Sequence, residues 1–165
     1  MIKKLNSKDW KEFKNIRLEA LKLEPQAFGD SYSILSKEKD DFWKENLSSK
    51  WQTWYGVFED QKLVGIGSIK YAKALKFNHI AHLSGIYVKK EYRKRGLGKL
   101  LFKTRIDDAF RNEKIKKLKL IVNKSQENAI GLYKSLGFKI VGDLEAEFRI
   151  NDTFYDAYLM ELLKN

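Results

Sequence analysis

A mixed α/β sheet with helices packed on it is the fold this chain predicts. Three observations point to it. Strand-like and helix-like stretches follow one another through the chain in the order β-α-α-β-β-β-α-β-α-β-β. An apolar run with strand chemistry, Ile80 to Val88, passes through Gly96 and Gly98 into a helix-like run from Lys99 to Phe110. Two further pairs of strand-like runs are separated by short polar turns, the pattern of hairpins.

Taken in order, Ile2 to Leu5 forms a short strand. Ser7 is placed to cap a helix whose apolar face is Trp10, Phe13, Ile16, Ala20 and Leu21. Pro25, the single proline, marks that helix's end. Gln26 to Ser36 reads as a loop, with Ala27-Phe28-Gly29-Asp30 as its turn, and Lys37 to Leu47 as a second helix with Phe42 and Trp43 inward. Thr53 to Phe58 and Lys62 to Tyr71 make a hairpin over Glu59 to Gln61. A basic connector, Ala72 to Asn78, leads into the central strand. The helix beyond Gly98 is apolar over its first turns (Leu97, Leu100, Leu101, Phe102) and is expected to be buried, without one clean face. Lys117 to Asn123 alternates, with Leu118, Leu120 and Val122 on one side. Ser125 caps the next helix, Glu127 suits its first turn, and Ala129, Leu132, Tyr133 and Leu136 share one face. Gly137 closes that helix. Phe138 to Val141 is a strand, and Glu145 to Ile150 pairs with Thr153 to Leu162 around Asn151-Asp152.

With 165 residues, 43% of them apolar, the chain suits a single domain, residues 1–165, with a real core. It has no cysteine, which excludes disulfides, thiolate metal sites and a cysteine nucleophile, and fits a reducing cytoplasm. Met1 to Trp10 lacks the apolar core of a secretion signal, and no stretch is long and apolar enough to span a membrane, so no membrane partner is expected. The formal charge of +11 attracts anions. Part of the excess is local: Lys89 to Arg105 holds eight Lys or Arg against one acid, Glu91.

That basic segment contains Arg93-Lys94-Arg95-Gly96-Leu97-Gly98 at the strand-to-helix junction. Glycines there let bare backbone N–H groups converge, and a helix start adds unpaired N–H groups with a partial positive charge. Together these parts would seat a pyrophosphate; a solvated basic turn is the plainer alternative. Leu101 stands where a dinucleotide fingerprint needs its third glycine, and no Gly-Lys-Ser/Thr follows, so the run is neither of the common nucleotide loops.

The order of elements and two motifs resemble the GNAT superfamily of N-acetyltransferases. Ile86-Tyr87-Val88 followed by Tyr92-Arg93-Lys94-Arg95-Gly96-Leu97-Gly98-Lys99-Leu100-Leu101 is similar to the family's strand, Arg/Gln-x-x-Gly-x-Gly/Ala turn and helix. Glu127-Asn128-Ala129-Ile130-Gly131-Leu132-Tyr133-Lys134-Ser135-Leu136-Gly137-Phe138 resembles its later helix, where Leu-Tyr precedes Gly-Phe. Lys90 stands where the family commonly has proline, and Gln126 where it often has asparagine. Arg17 to Leu47 resembles the N-terminal region of a subset of members without marking a particular reaction.

The resemblance implies a mostly antiparallel central sheet of six to seven strands, about four flanking helices, and a splay after the central strand. It implies acetyl-CoA as acyl donor and no metal. Arg93, Lys94, Arg95, Gly96, Leu97, Gly98 and Lys99 would hold its phosphates, and the main chain of Ile86 and Val88 would pair with the pantetheine arm as an added strand. An N–H near Val88 would polarise the thioester carbonyl. Asn123 and Asn128 would bond pantetheine amides. Spacing alone makes Tyr133 a packing residue; the resemblance makes it both a cofactor contact and the acid that protonates a leaving thiolate, whose parent thiol has a pKa of ~8.5.

The base for the acceptor ammonium stays open among His79, His82, Glu59, Asp143, Glu145, Glu147 and water. His79 and His82 would point to opposite faces of a strand, which speaks against a shared metal. Phe28, Tyr32, Trp43 and Trp54 are candidates for an acceptor pocket. The expected activity is direct transfer of acetyl to a primary amine, on a small molecule or a protein N-terminus or lysine, in a ternary complex. The positive charge weakly disfavours polycationic acceptors. A non-catalytic basic nucleic-acid-binding domain is the rival class, although none of its recognition motifs is present; an enzyme of the same fold using another acyl-CoA is the second. The last hairpin is a candidate for pairing across a homodimer.

Overall fold

The chain builds β1 (Ile2–Lys4), α1 (Trp10–Leu23), the one-turn α2 (Tyr32–Leu35), α3 (Asp40–Leu47), β2 (Gln52–Glu59), β3 (Lys62–Tyr71), β4 (Ile80–Val88), α4 (Leu97–Arg111), β5 (Lys117–Asn123), α5 (Glu127–Ser135), β6 (Lys139–Ile150) and β7 (Thr153–Leu163) in the computed structural model, which describes residues 1–164. The strands form one sheet in the order β1-β2-β3-β4-β5-β7-β6, antiparallel throughout except for β4 with β5. This is the expected mixed sheet, with seven strands and five α-helices.

Alternation along the strands divides the core between the two faces. Trp54 and Tyr55 are neighbours on β2 yet join different clusters. Trp54 packs with Phe13, Ile16, Trp43 and Ile66 beneath α1 and α3, whereas Tyr55 packs with Leu101, Phe102, Leu118 and Met160 beneath α4. The turn between β2 and β3 places Asp60 and Gln61 at φ 46° and 64°, two successive left-handed residues that match the twist of a hairpin.

Local chemistry moves several expected boundaries. Asn6, not Ser7, opens the first helical segment: its side chain accepts from the Lys8 N–H at 3.0 Å while Asp9 accepts from the Asn6 N–H at 2.9 Å, a reciprocal cap. The second helix begins at Asp40 rather than Lys37, and the loop before it includes the turn of α2. Ser125 does not cap α5. Its own N–H is taken by the Asn123 side chain at 2.9 Å, and Gln126 occupies the cap position without a side-chain bond. The strands expected at Phe138 to Val141 and Glu145 to Ile150 are one strand, β6, kinked by a bulge between Leu144 and Phe148 with Ala146 at φ 51°.

α4 is tied to the sheet through Asp108. Burial alone would raise its carboxyl, but the Tyr55 hydroxyl donates to it and the Lys4 ammonium lies 2.9 Å away, and these hold its pKa below the usual carboxylate value. A depressed carboxyl contributes stability that is present above its unfolded pKa and is lost as pH falls through the folded one. Melting temperature measured from pH 7 downward should therefore fall on acidification below the ordinary carboxylate range, and Asp108→Asn should start lower and fall less steeply.

Candidate functional site

The parallel ladder between β4 and β5 lasts only from Ile80–Lys117 to His82–Lys119. Beyond it the strands diverge. β4 is turned at this point by a register slip against β3 between Ile66 and Ser68 and by Gly85 at φ +65°. The Lys89 N–H donates to Val64 of β3 at 2.9 Å. Because successive residues of a strand face opposite neighbours, Val88 and Ile86 turn their main-chain groups away from β3, toward the gap. The expected splay is present, with an unpaired edge inside the sheet.

A cavity of about 580 Å³ opens beside this edge. Its wall contains Ile86, Val88, Arg93, Lys94, Gly96, Leu97, Gly98, Lys99, Asn123, Asn128 and Tyr133, every expected site residue except Arg95. The turn has the left-handed steps a convergent N–H nest requires, with Lys94 at φ 63° and Gly96 at φ 78°. A Cβ on Gly96 would meet no heavy atom within 4 Å, so glycine is demanded there by the backbone turn and not by crowding. Asn123 is buried; its oxygen holds Ser125 N–H, and its Nδ2 has no protein partner. An amide donor left free in the wall of this cavity suits a ligand carbonyl.

The loop arginines are not free anions' partners. Arg93 donates from Nε to the Val88 carbonyl at 2.8 Å and from Nη2 to Glu24, which fastens the loop to the end of β4 and to the segment after α1. Arg95 points away and pairs with Glu59 at 3.2 Å. Lys94 and Lys99 are the cavity cations without an acidic partner among the described residues.

A second cavity, of about 470 Å³, lies on the other side of Tyr133. Aromatic rings line it: Phe13, Phe28, Trp43, Trp54, Phe102 and Phe148. Three of the four aromatics expected there are present, and Tyr32 is not. The two cavities share Ala27, Ile86, Ile121, Tyr133 and Phe148, so Tyr133 stands where they join. Its ring lies 4.6 Å from that of Phe102. The buried tyrosines Tyr55 and Tyr87 spend their hydroxyls on Asp108 and Glu19; no described residue hydrogen-bonds that of Tyr133. Burial pushes its pKa up to about 12, against a smaller lowering by Arg105.

Of the candidate bases, His82 and Glu147 reach the second cavity. Glu59 is held by Arg95, and Asp143 by Lys124 at 2.6 Å. Burial, then Lys119 and Lys70, lower the His82 pKa, which disfavours its charged form.

Two buried arginines escape a sequence reading. Arg105 of α4 has no exposed surface. Its Nη1 donates to the carbonyls of Ser68 and Ser84, each at 3.0 Å, and its guanidinium stacks 4.6 Å from the Phe102 ring. Burial lowers its pKa to about 10, which leaves it charged. A Cβ on Gly67 would sit 2.9 Å from this guanidinium, so the glycine in β3 is what admits it. Arg17 of α1 is 4% exposed, bonds Asp30 through Nη2, and rests on Phe28 and Trp54 at 4.7 and 5.4 Å. The signal for Arg105 was a glycine in a strand interior, one of two in β3, which marks close approach.

The family model for the acetyltransferase (GNAT) family matches residues 10–138. Spermidine N(1)-acetyltransferase of Escherichia coli (strain K12) is 35% identical over 88 residues, covering 52% of this chain and 47% of that protein, so the match spans about half the length of this curated relative. A crystal structure of an acetyltransferase of the GNAT family from Streptococcus pneumoniae is similar with a TM-score of 0.85 at 30% identity, over 100% of this chain and 99% of that one. A Salmonella typhimurium structure solved with its cofactor acetyl-CoA shares the fold at a TM-score of 0.83 and 18% identity, over 99% and 92% of the chains.

Proposed function

The chain belongs to the acetyltransferase (GNAT) family, and from that membership we propose that it transfers the acetyl group of acetyl-CoA to a primary amine by direct attack in a ternary complex. The observation that carries this is the meeting of two cavities at Tyr133. The basic turn beside one suits a long polyanionic donor, the aromatic lining of the other suits the body of a compact amine, and five residues line both.

In this reading the nest from Arg93 to Lys99 receives the pyrophosphate, with Lys94 and Lys99 as counter-charges. Asn123 Nδ2 and the outward main chain of Ile86 bind the pantetheine amides, Val88 offers the donor its N–H because Arg93 holds its carbonyl, and Asn128 adds a polar group at the start of α5. Bound there, acetyl-CoA supplies a thioester carbonyl. The Val88 N–H polarises that carbonyl in the manner of an oxyanion hole. His82 or Glu147, directly or through water, takes the proton of the acceptor ammonium. The amine nitrogen then bonds to the acyl carbon, the carbon–sulfur bond breaks, Tyr133 gives its phenolic proton to the departing thiolate, and the second proton shed by the nitrogen as the amide forms returns to the phenolate, directly or through water. No persuasive covalent nucleophile lines either cavity, which favours direct transfer over an acyl-enzyme.

Among the described residues no helix is long and apolar enough to cross a membrane, and no cluster of three or more potential metal ligands is found. A cytoplasmic enzyme, paired into a homodimer through its last hairpin, completes the proposal.

Acetyl-CoA at 100 times its Kd should add about 2.7 kcal/mol of stability, read as a rise in melting temperature, with thiol release when an amine is supplied. Succinyl-CoA and longer acyl-CoAs should give slower release. A melting temperature unmoved by acetyl-CoA but raised by an oligonucleotide, with a steep salt dependence, would replace this reading with the nucleic-acid one.

A further inference from the structure

Five buried side-chain polar atoms have no partner among the described residues: Arg17 Nη1, Trp43 Nε1, Arg105 Nε and Nη2, and Asn123 Nδ2. Every one is a nitrogen bearing hydrogen. Asn123 belongs to the donor cavity. The other four atoms belong to residues lining the acceptor cavity. A buried donor without an acceptor is costly, and such groups persist where a ligand or water satisfies them. Three residues of the acceptor cavity thus carry donors that no described residue satisfies.

Its charge asks for a negative oxygen. Arg17, Lys70 and Arg105 line it, opposed by Asp30 and Glu147, and Asp30 is already engaged by Arg17 at 2.5 Å. Arg17 is also held rigid. Its guanidinium lies over the rings of both Phe28 and Trp54, and the Trp54 indole is fixed by donating to Asn46 at 2.6 Å. A planar fork with one edge spent on Asp30 and the other unspent is suited to a carboxylate. A polyamine, in contrast, would bring further ammonium groups to a cavity lined by Arg17, Lys70 and Arg105, with Glu147 as the one carboxylate there not engaged by a cation among the described residues.

We propose that the acceptor is a primary amine that also carries a carboxylate, as a free amino acid does, and that Arg17 receives the carboxylate through Nη1 while the amine reaches toward Tyr133. This rests on the acetyl-CoA reading above and narrows it to a substrate class. The aromatic walls take the apolar body of such a molecule, and about 470 Å³ accommodates a small one. Arg105 adds a second buried cation to the lining of the same cavity.

The test compares acetyl transfer to the twenty standard amino acids, to their carboxamides and to spermidine, together with calorimetric binding of the same compounds to the enzyme saturated with desulfo-coenzyme A. At least one free amino acid should exceed its amide in kcat/KM by roughly 10- to 150-fold, the range for a hydrogen bond to a charged group. That ratio should collapse in Arg17→Gln, mainly through KM, and recover in part in Arg17→Lys. Because Arg17 is buried, Asp30→Asn serves as the second variant. It leaves the guanidinium in place and releases it from its internal partner, so the preference for carboxylate should be kept or enlarged. Amides or spermidine used as well as amino acids would overturn the proposal, as would the absence of binding or transfer for every carboxylate compound. Either result leaves the acetyl-CoA reading standing so long as acetyl-CoA still raises the melting temperature; loss of that rise removes both.

Discussion

Tyr133→Phe is expected to lower kcat by about 10²- to 10⁴-fold, the usual contribution of a positioned acid, with the Kd for acetyl-CoA almost unchanged. No described residue hydrogen-bonds the Tyr133 hydroxyl, and its ring packs on Phe102 and Phe138, so phenylalanine keeps the packing and removes only the proton. Stability should therefore stay within about 0.5 kcal/mol of the parent. The pH profile adds a sign. With its pKa pushed up to about 12, the phenol is protonated, and so competent as an acid, across the working range. The rate should climb with pH as the acceptor amine loses its proton and should not turn down until the phenol ionises near that value. Stopped-flow kcat and calorimetric Kd for acetyl-CoA check both statements. An unchanged kcat would make Tyr133 a packing residue, which is what its helical spacing alone suggests.

What could be read in the sequence follows the range of the interactions. The left-handed turn that opens α4 was legible because its ingredients are consecutive: Gly96 supplies a positive φ that few residues tolerate, and α4 starts one residue later. Tyr133 was legible as a face residue because helical periodicity is local. Whether its hydroxyl was spent could not be read, since the answer depends on Arg105, Phe102 and Phe138, brought to it by other elements. The role of Arg95 depended on a partner, Glu59, across the β2–β3 turn, and the nest formed without it. The acceptor cavity was hardest to anticipate. Arg17 and Arg105 sit on helices where arginine is normally a surface residue, and their burial is decided by Phe28 and Trp54 in one case and by the absence of a side chain at Gly67 in the other.

Gly85 is where that long-range construction is most exposed to a single methyl group. Gly85→Ala should destabilise the protein by about 2–5 kcal/mol, combining a left-handed non-glycine residue with an overpacked core. The added Cβ would lie 2.7 and 2.9 Å from the Trp54 ring. That ring cannot withdraw easily: Asn46 holds its Nε1, Phe13 packs edge-on at 4.7 Å, and Arg17 lies over it. At ~2–4 °C per kcal/mol for a domain of this size, the melting temperature should fall by many degrees. Where the variant folds, KM for the acceptor should rise while the acetyl-CoA Kd holds, because Trp54 lines only the acceptor cavity. Gly131 provides the contrast. It lies in α5 without a positive φ, and a Cβ there meets no heavy atom within 4 Å. Gly131→Ala should stabilise the protein by about 0.5–1 kcal/mol by favouring the helix. Equal melting temperatures for Gly85→Ala and the parent would mean that β4 does not need its left-handed step, and the account of why it parts from β5 would fail with it.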